Sequence, residues 1–331
     1  MCDCTKTIPI SNIPNVIPDN CALIGCLSFE PRCLCIPLNI DSKISRIVMF
    51  RNKELRGDLI LKNEKVFSTK FPSSPIQTVS FKKPTELANS MAKIVEDLSK
   101  TYDNLIVDVT TFTHESLVML LRIIHLFHGN FKSILCVYVG ADQYSPGMKA
   151  EDTWLSKGCK DVRNIIGFPG LLRPIEKTSL VILAGFEMER ATRLIELIEP
   201  DRLILGNGID PINKNHSEKM AYFQRKFFQW QSEFKNIEHY SFDFSCKDIK
   251  RTIQQIKAII SQRPNDNYIL VPLNTKLSTI AATLVGLENQ RIQLCYAIPE
   301  IYNVSNYATP GDNVTIVDLY KFPEFQQTAG M

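Results

Sequence analysis

Two stretches of this chain are written to the same plan, and that plan admits few folds. Tyr268–Tyr302 runs from an apolar segment of strand length (Tyr268–Leu273) into the polar break Asn274-Thr275-Lys276. Small and aliphatic residues of helical length follow, and then a second apolar strand, Ile292–Ile298. Leu105–Tyr144 repeats the order: strand Leu105–Val109, break Thr110-Thr111-Phe112-Thr113-His114, helix to about His128, strand Ser133–Val139. Strand–turn–helix–strand units build parallel sheets, because the helix must carry the chain back before the next strand begins. In such sheets ligands gather at the carboxyl ends of strands, against free helix N-termini.

The likeness extends further. Cys21–Leu38 parallels Ser179–Ile198: an apolar strand runs into Phe-Glu, then an arginine (Arg32, Arg190), then an amphipathic helix. The next strands are Ser45–Phe50 and Asp201–Gly206. Tyr138-x-x-x-Asp142-x-Tyr144 aligns without gaps on Tyr296-x-x-x-Glu300-x-Tyr302. Four matched segments in one order predict an α/β chain of two tandem Rossmann-like domains, with mainly parallel sheets flanked by helices and related by internal duplication. The expected division is an N-terminal arm (1–20), a first domain (21–150), a connecting segment (151–177) and a second domain (178–331). Pro9, Pro14 and Pro18 break any helix in the arm, which either packs on the body or pairs with a partner. The connection, with Gly167, Pro169, Gly170 and Pro174, reads as a packed irregular loop. Residues 50–81 read as a basic stretch with short strand signals, Pro84–Thr101 as a helix, and Asn207-Gly208 as a turn. Ser217–Phe234 and Cys246–Gln262 read as helices, the latter capped by Ser245 with Asp248 three positions on. The last strand, Val314–Leu319, is expected at an edge of the second domain and the tail from Pro323 as frayed.

Composition narrows the classes. With 331 residues and 44% hydrophobic content the chain buries substantial cores, and a net charge of +3 does not indicate direct nucleic-acid binding. No apolar run reaches membrane-spanning length, and the first twenty residues do not read as a signal peptide, so a cytoplasmic protein without membrane attachment is expected. The ten cysteines include two C-x-C pairs but no C-x-x-C, and are read as reduced and structural. No cofactor and no metal site are expected; His125 and His128, three apart on a helix, read as a surface pair. Glycine-rich dinucleotide and phosphate loops, G-x-S-x-G and H-E-x-x-H are all missing, which disfavours the enzyme classes that depend on them.

The candidate site residues follow from position. The loops after the first and fourth strands carry Ser28, Glu30, Arg32, Thr110, Thr111 and Thr113 in one half, and Glu187, Arg190, Asn274, Thr275 and Lys276 in the other. Hydroxyls, helix-start N–H groups and cations suit a phosphate-containing ligand. The same residue types also cap helices, and Glu30/Arg32 and Glu187/Arg190 also make ordinary ion pairs; both readings stand at this point. Tyr144 and Tyr302 either stack a base or cover the core edge. His114, Asp108 and Glu30 are the candidates for proton transfer. Pro272 stands where Asp108 does, so that chemistry would belong to one half.

With its D-x-T-T-x-T turn at Asp108–Thr113 and P-x-N-T-K turn at Pro272–Lys276, the chain resembles the CRISPR-associated Rossmann-fold (CARF) sensor domains. Asp108-Val109-Thr110 and Asn274-Thr275-Lys276 fit that family's strand-four turn in part. The resemblance implies paired domains around a two-fold axis that cradle a cyclic oligoadenylate between strand-one and strand-four loops. It also implies an effector, and no separate effector module is evident in the sequence. Three functions are therefore expected to compete. The first is a non-enzymatic nucleotide sensor or adaptor, taking a ligand between pseudo-symmetric halves and coupled to a protein partner with effector activity in prokaryotic anti-phage defence. The second is an enzyme that cleaves a phosphodiester or glycosidic bond. The third is a structural subunit using the arm and the aromatic helix Met220–Trp230.

Overall fold

The computed structural model describes residues 4–40, 43–211, 217–234 and 236–327. In chain order the elements begin with β1 (Thr5–Pro9), β2 (Cys21–Leu27), α1 (Cys35–Asn39), β3 (Ile44–Asn52), α2 (Asp58–Lys70), β4 (Ile76–Val79), α3 (Pro84–Ser99), β5 (Asn104–Asp108), α4 (His114–Leu126) and β6 (Ser133–Tyr144). There follow β7 (Ser156–Lys157), β8 (Asp161–Pro169), β9 (Thr178–Ala184), α5 (Met188–Ile198), β10 (Arg202–Ile209), α6 (Ser217–Gln231), β11 (Glu238–Ser245), α7 (Ile249–Gln262), β12 (Asn267–Pro272), α8 (Lys276–Glu288), β13 (Ile292–Ile298) and β14 (Ile301–Tyr302). The chain ends in β15 (Ala308–Asp318) and α9 (Pro323–Gln326). It is an α/β protein with mainly parallel, Rossmann-like sheets flanked by helices.

The chain divides into two units. The first comprises the chain up to Gln143 together with the stretch from Ala308 onward; the second is Tyr144–Tyr307. The first unit's sheet has the order β1-β15-β6-β5-β2-β3-β4. From β4 to β6 its five strands are parallel. All seven residues of β2 are buried, as a central parallel strand covered on both faces requires. Its core gathers Leu23, Leu27, Ile106 and Val137 with Ile13 and Ile17 of the N-terminal segment.

The second unit's sheet runs β11-β10-β9-β12-β13-β8. Its first five strands are parallel, and β8 closes it antiparallel to β13. Read outward from the β2–β5 and β9–β12 pairs, the parallel strands of the two units follow one order. Leu180, Ile182, Leu205 and Val271 form the core with Phe227 and Trp230 of α6.

Several expectations need correction, and each has a physical reason. The last strand is not an edge of the second domain: β15 lies inside the first unit's sheet, between β6 and β1, so the boundaries 21–150 and 178–331 do not hold. Val314 and Val317 are fully buried there, as suits an interior strand. Of the two alternatives for the arm, residues 4–20 take the first and pack on the body: β1 pairs antiparallel with β15 and Ile13 is buried in the same core. Part of the 151–177 connection is strand β8, not loop. The basic stretch holds a helix, α2, and Asn207-Gly208 continues β10 instead of turning. The cap of α7 is Asp248, whose carboxylate accepts from Arg251 N at 3.0 Å. The helix after Arg32 is a five-residue stub following a 3₁₀ turn. Phe325 is fully buried, so the tail as far as Gln327 is packed; residues 328–331 and Cys2 lie outside the described residues. Among the described residues no helix is long and apolar enough to cross a membrane.

Candidate functional site

In the second unit the carboxyl ends of β9, β10 and β12 meet at a shallow cleft, open to solvent. Two glycines allow this approach, Gly185 to the backbone after β12 and Gly208 to side chains beside it. A Cβ on Gly185 would lie 2.1 Å from Leu273 O, and one on Gly208 would lie 2.7 Å from Asn274 Nδ2 and 2.8 Å from Cys246 Sγ. Asn274 ties the strand ends together: its Nδ2 donates to Ala184 O at 2.6 Å and its Oδ1 accepts from Thr275 N at 2.8 Å. Thr275 Oγ1 accepts from Ser278 N at 3.1 Å, capping α8, and donates to Cys246 O at 2.9 Å. Lys276 is the first residue of that helix.

Helix α6 supplies the opposite wall through Met220, Phe223, Gln224 and Phe227. Phe186 and Phe223 lie with ring centroids 4.4 Å apart, and Tyr144 meets Phe186 edge-on at 5.4 Å. Asn207 is held by donating to Asp243 Oδ1 at 2.8 Å. Among the described residues no carboxylate, histidine or thiol lines the cleft. Its lining offers flat apolar surfaces and carboxamides.

The predicted glutamate–arginine pairs are both present; Glu30, Arg32 and Arg190 are buried and Glu187 is half-buried. Arg32 is paired with Glu30, its Nε donating at 2.8 Å, and its Nη1 donates to Val139 O at 3.2 Å. Arg190 is paired with Glu187, and its Nη1 donates to Ala297 O at 3.0 Å. In each unit the arginine reaches a carbonyl 107 residues further on, fixing the first loop to the fifth parallel strand. Glu187 also accepts from Ser156 Oγ at 2.5 Å. Tyr302 belongs to the same enclosed network, where burial pushes its hydroxyl well up. These residues position the loops.

In the first unit, Ser28 and Thr110 are buried, and Thr110 Oγ1 accepts from Val139 N at 3.1 Å. Thr111 Oγ1 donates to Cys26 O at 2.5 Å, and Thr113 caps α4 by accepting from Ser116 N at 3.1 Å. Asp108 is almost wholly buried and accepts from Thr110 N at 3.1 Å. Burial pushes its carboxyl up to about 7, against which its bonds to Thr110 and the charge of Arg32 act. Of the proton-transfer candidates, Glu30 and Asp108 are thus committed to the interior, and His114 opens α4, half-buried. The histidine pair is not on the surface: His125 is buried, stacked on His128 at 5.1 Å and bonded through Nε2 to Gln327 O at 2.8 Å. Among the described residues no group of three His, Cys, Asp or Glu could hold a metal. The described cysteines are free, and Cys33 and Cys295, both buried, have thiols raised to about 12.

The structure therefore brings Asn274 to the cleft, with Thr275 and Lys276 following at the start of α8. The remaining predicted residues take capping, ion-pair or interior roles. Gly185, Phe186, Asn207, Gly208 and Phe223 were not among the predicted site residues; the glycine after an apolar strand at Gly185 was the available signal.

No protein-family model matches the chain, and no curated protein matches it. Among solved structures it is similar to an N-terminal ketoreductase from a macrolactin assembly line, at 9% identity and TM-score 0.24 over 81% of this chain and 64% of that one. A periplasmic ribose ABC transporter from Conexibacter woesei gives 11% and 0.19 over 81% and 66%. The PLP-bound threonine synthase from Brucella melitensis gives 8% and 0.21 over 85% and 60%. The chain thus spans no more than 66% of the length of any of these three, and likeness at this level carries no argument about function.

Proposed function

We propose that this chain is a nucleotide sensor that takes its ligand in the second unit's cleft and reports occupancy to a protein partner, in the setting of prokaryotic anti-phage defence that the CARF resemblance implies. The observation that carries the reading is the pair of glycine-permitted approaches, at Gly185 and Gly208, beneath the Phe186–Phe223 wall. These approaches draw the strand ends together beside the rings, whose flat faces suit a planar group, while the start of α8 offers N–H groups to a phosphate. The shared strand order and the arginine bond repeated at equal spacing support reading the halves as copies of one design.

The lining favours a sensor over a cleaving enzyme, since among the described residues it holds no acid, base or nucleophile. Isothermal titration with a panel of cyclic and linear nucleotides tests the proposal. Saturable binding is expected, lost in Gly208→Val and weakened in Phe223→Ala, with the nucleotide recovered intact on thin-layer analysis. No binding by any member of the panel overturns the reading, and cleavage of the bound nucleotide replaces it with the enzymatic one.

A further inference from the structure

The net charge of +3 conceals an uneven distribution. Residues 43–83 carry ten Lys and Arg against three Asp and Glu, a balance of +7, so the rest of the chain carries −4. Two of the three acids are engaged within the segment, and the third, Asp58, is exposed at the start of α2. Glu64 pairs with Arg51 at 2.9 Å, and Glu54 accepts from Ser80 Oγ and from Phe81 N, the latter at 3.0 Å. Lys53, Arg56, Lys62 and Lys65 are exposed, and among the described residues no side-chain hydrogen bond or ion pair engages them.

Helix α2 carries part of this charge on an unusual outer face. Ile60, Asn63 and Phe67 point inward and are buried. Outside, Leu59 is 40% exposed, Leu61 56% and Val66 38%. Residues three or four apart share a helix face, so Leu59, Lys62 and Val66 form one row and Leu61 and Lys65 the next. Cations and aliphatic residues are interleaved along the middle of the exposed side, between Asp58 in the first turn and Ser68 and Thr69 in the last.

We infer that the outer face of α2 docks an acidic amphipathic helix of a partner protein, one that sets leucine-type residues against Leu59, Leu61 and Val66 and carboxylates against Lys62 and Lys65. Charge complementarity selects the sign of the partner, and the aliphatic residues select its class. Single-stranded nucleic acid binds on exposed aromatic platforms, whereas Phe67 and Phe81 are buried and Phe71 is half-buried. A membrane-surface helix segregates its apolar and cationic residues to opposite faces, and here they are mixed. The inference concerns the first unit and does not depend on ligand binding in the second.

The test uses the full chain and a fluorescently labelled synthetic helix of Leu, Ala and Glu, followed by anisotropy. Saturable binding that weakens with added salt is expected. Lys62→Glu/Lys65→Glu should weaken it by about tenfold or more, and so should Leu61→Ser or replacing the peptide's leucines by serine. These surface variants are expected to unfold at the parent's temperature. Absence of saturable binding, or binding indifferent to charge reversal, overturns the inference. So does tighter binding, through the same residues, of an oligothymidylate or of phosphatidylcholine–phosphatidylserine vesicles.

Discussion

Asp108 sits where its own charge is least welcome. Its carboxyl is buried in the first unit, and its folded-state value of about 7 lies well above the ordinary 3.8. Between those two values the folded chain holds a proton that the unfolded chain has released. Stability from this group is therefore full below about pH 4 and is lost as pH rises toward 7. The loss is of the order of a few kcal/mol, since each tenfold change in proton affinity corresponds to about 1.4 kcal/mol. Asp108→Asn should remove most of this dependence while keeping an oxygen to accept from Thr110 N. Urea unfolding at pH 5 and pH 8 checks it: the parent should lose stability across that interval and the variant much less. A parent with a flat profile would count against the assignment. The Arg32–Glu30 pair, buried on both sides, is the companion case, since removing either partner leaves an uncompensated interior charge.

At the level of elements, α4 and α8 were legible because cap and periodicity agree. Thr113 and Thr275 each precede a serine by three positions, and each threonine hydroxyl accepts that serine's N–H at 3.1 Å. Thr275→Ala should cost about 1 kcal/mol for the cap, and more in total, because the bond to Cys246 O is lost as well. The hydroxyl of Thr113, by contrast, bonds within its own cap, to Ser116 N and Ser116 Oγ. Chemical denaturation of Thr275→Ala and Thr113→Ala should therefore rank the first as the more damaging; equal losses would show the Cys246 bond to be inert. Helix α2 was not legible, because its inward face is only Ile60, Asn63 and Phe67, and Leu59-Ile60-Leu61 imitates a strand. The Asn207-Gly208 signal misled for a different reason. Gly208 serves close approach to Asn274 and Cys246, and the strand pairing to β11 overrides the local turn preference. The cleft was half legible: Asn274 was identified from its place after β12, while the α6 wall required tertiary packing to be known.

Across the whole molecule the sheet order could be anticipated only for the parallel strands, where each helix returns the chain to a neighbouring position. The outer strands come from far away in sequence, and nothing local marks their partners. The strand at Asp161–Pro169 joins the second unit's sheet, while the strand that follows β13 and β14, at Ala308–Asp318, joins the first. A chain ending at Tyr307 should lose protection from hydrogen exchange at β6 and β1, which would then lack their shared neighbour. Unchanged protection in that truncated chain would show β15 to be dispensable.

This connectivity also sets a schedule for biosynthesis. When β6 leaves the ribosome, its neighbour is still roughly 170 residues from being made, a delay on the order of ten seconds or more at ordinary translation speeds. Throughout that interval one side of β6, buried from Ile134 to Ala141 in the finished protein, has no strand to cover it. The first unit begun is thus the last one finished, and a nascent chain of this kind is the form in which the protein most needs a chaperone.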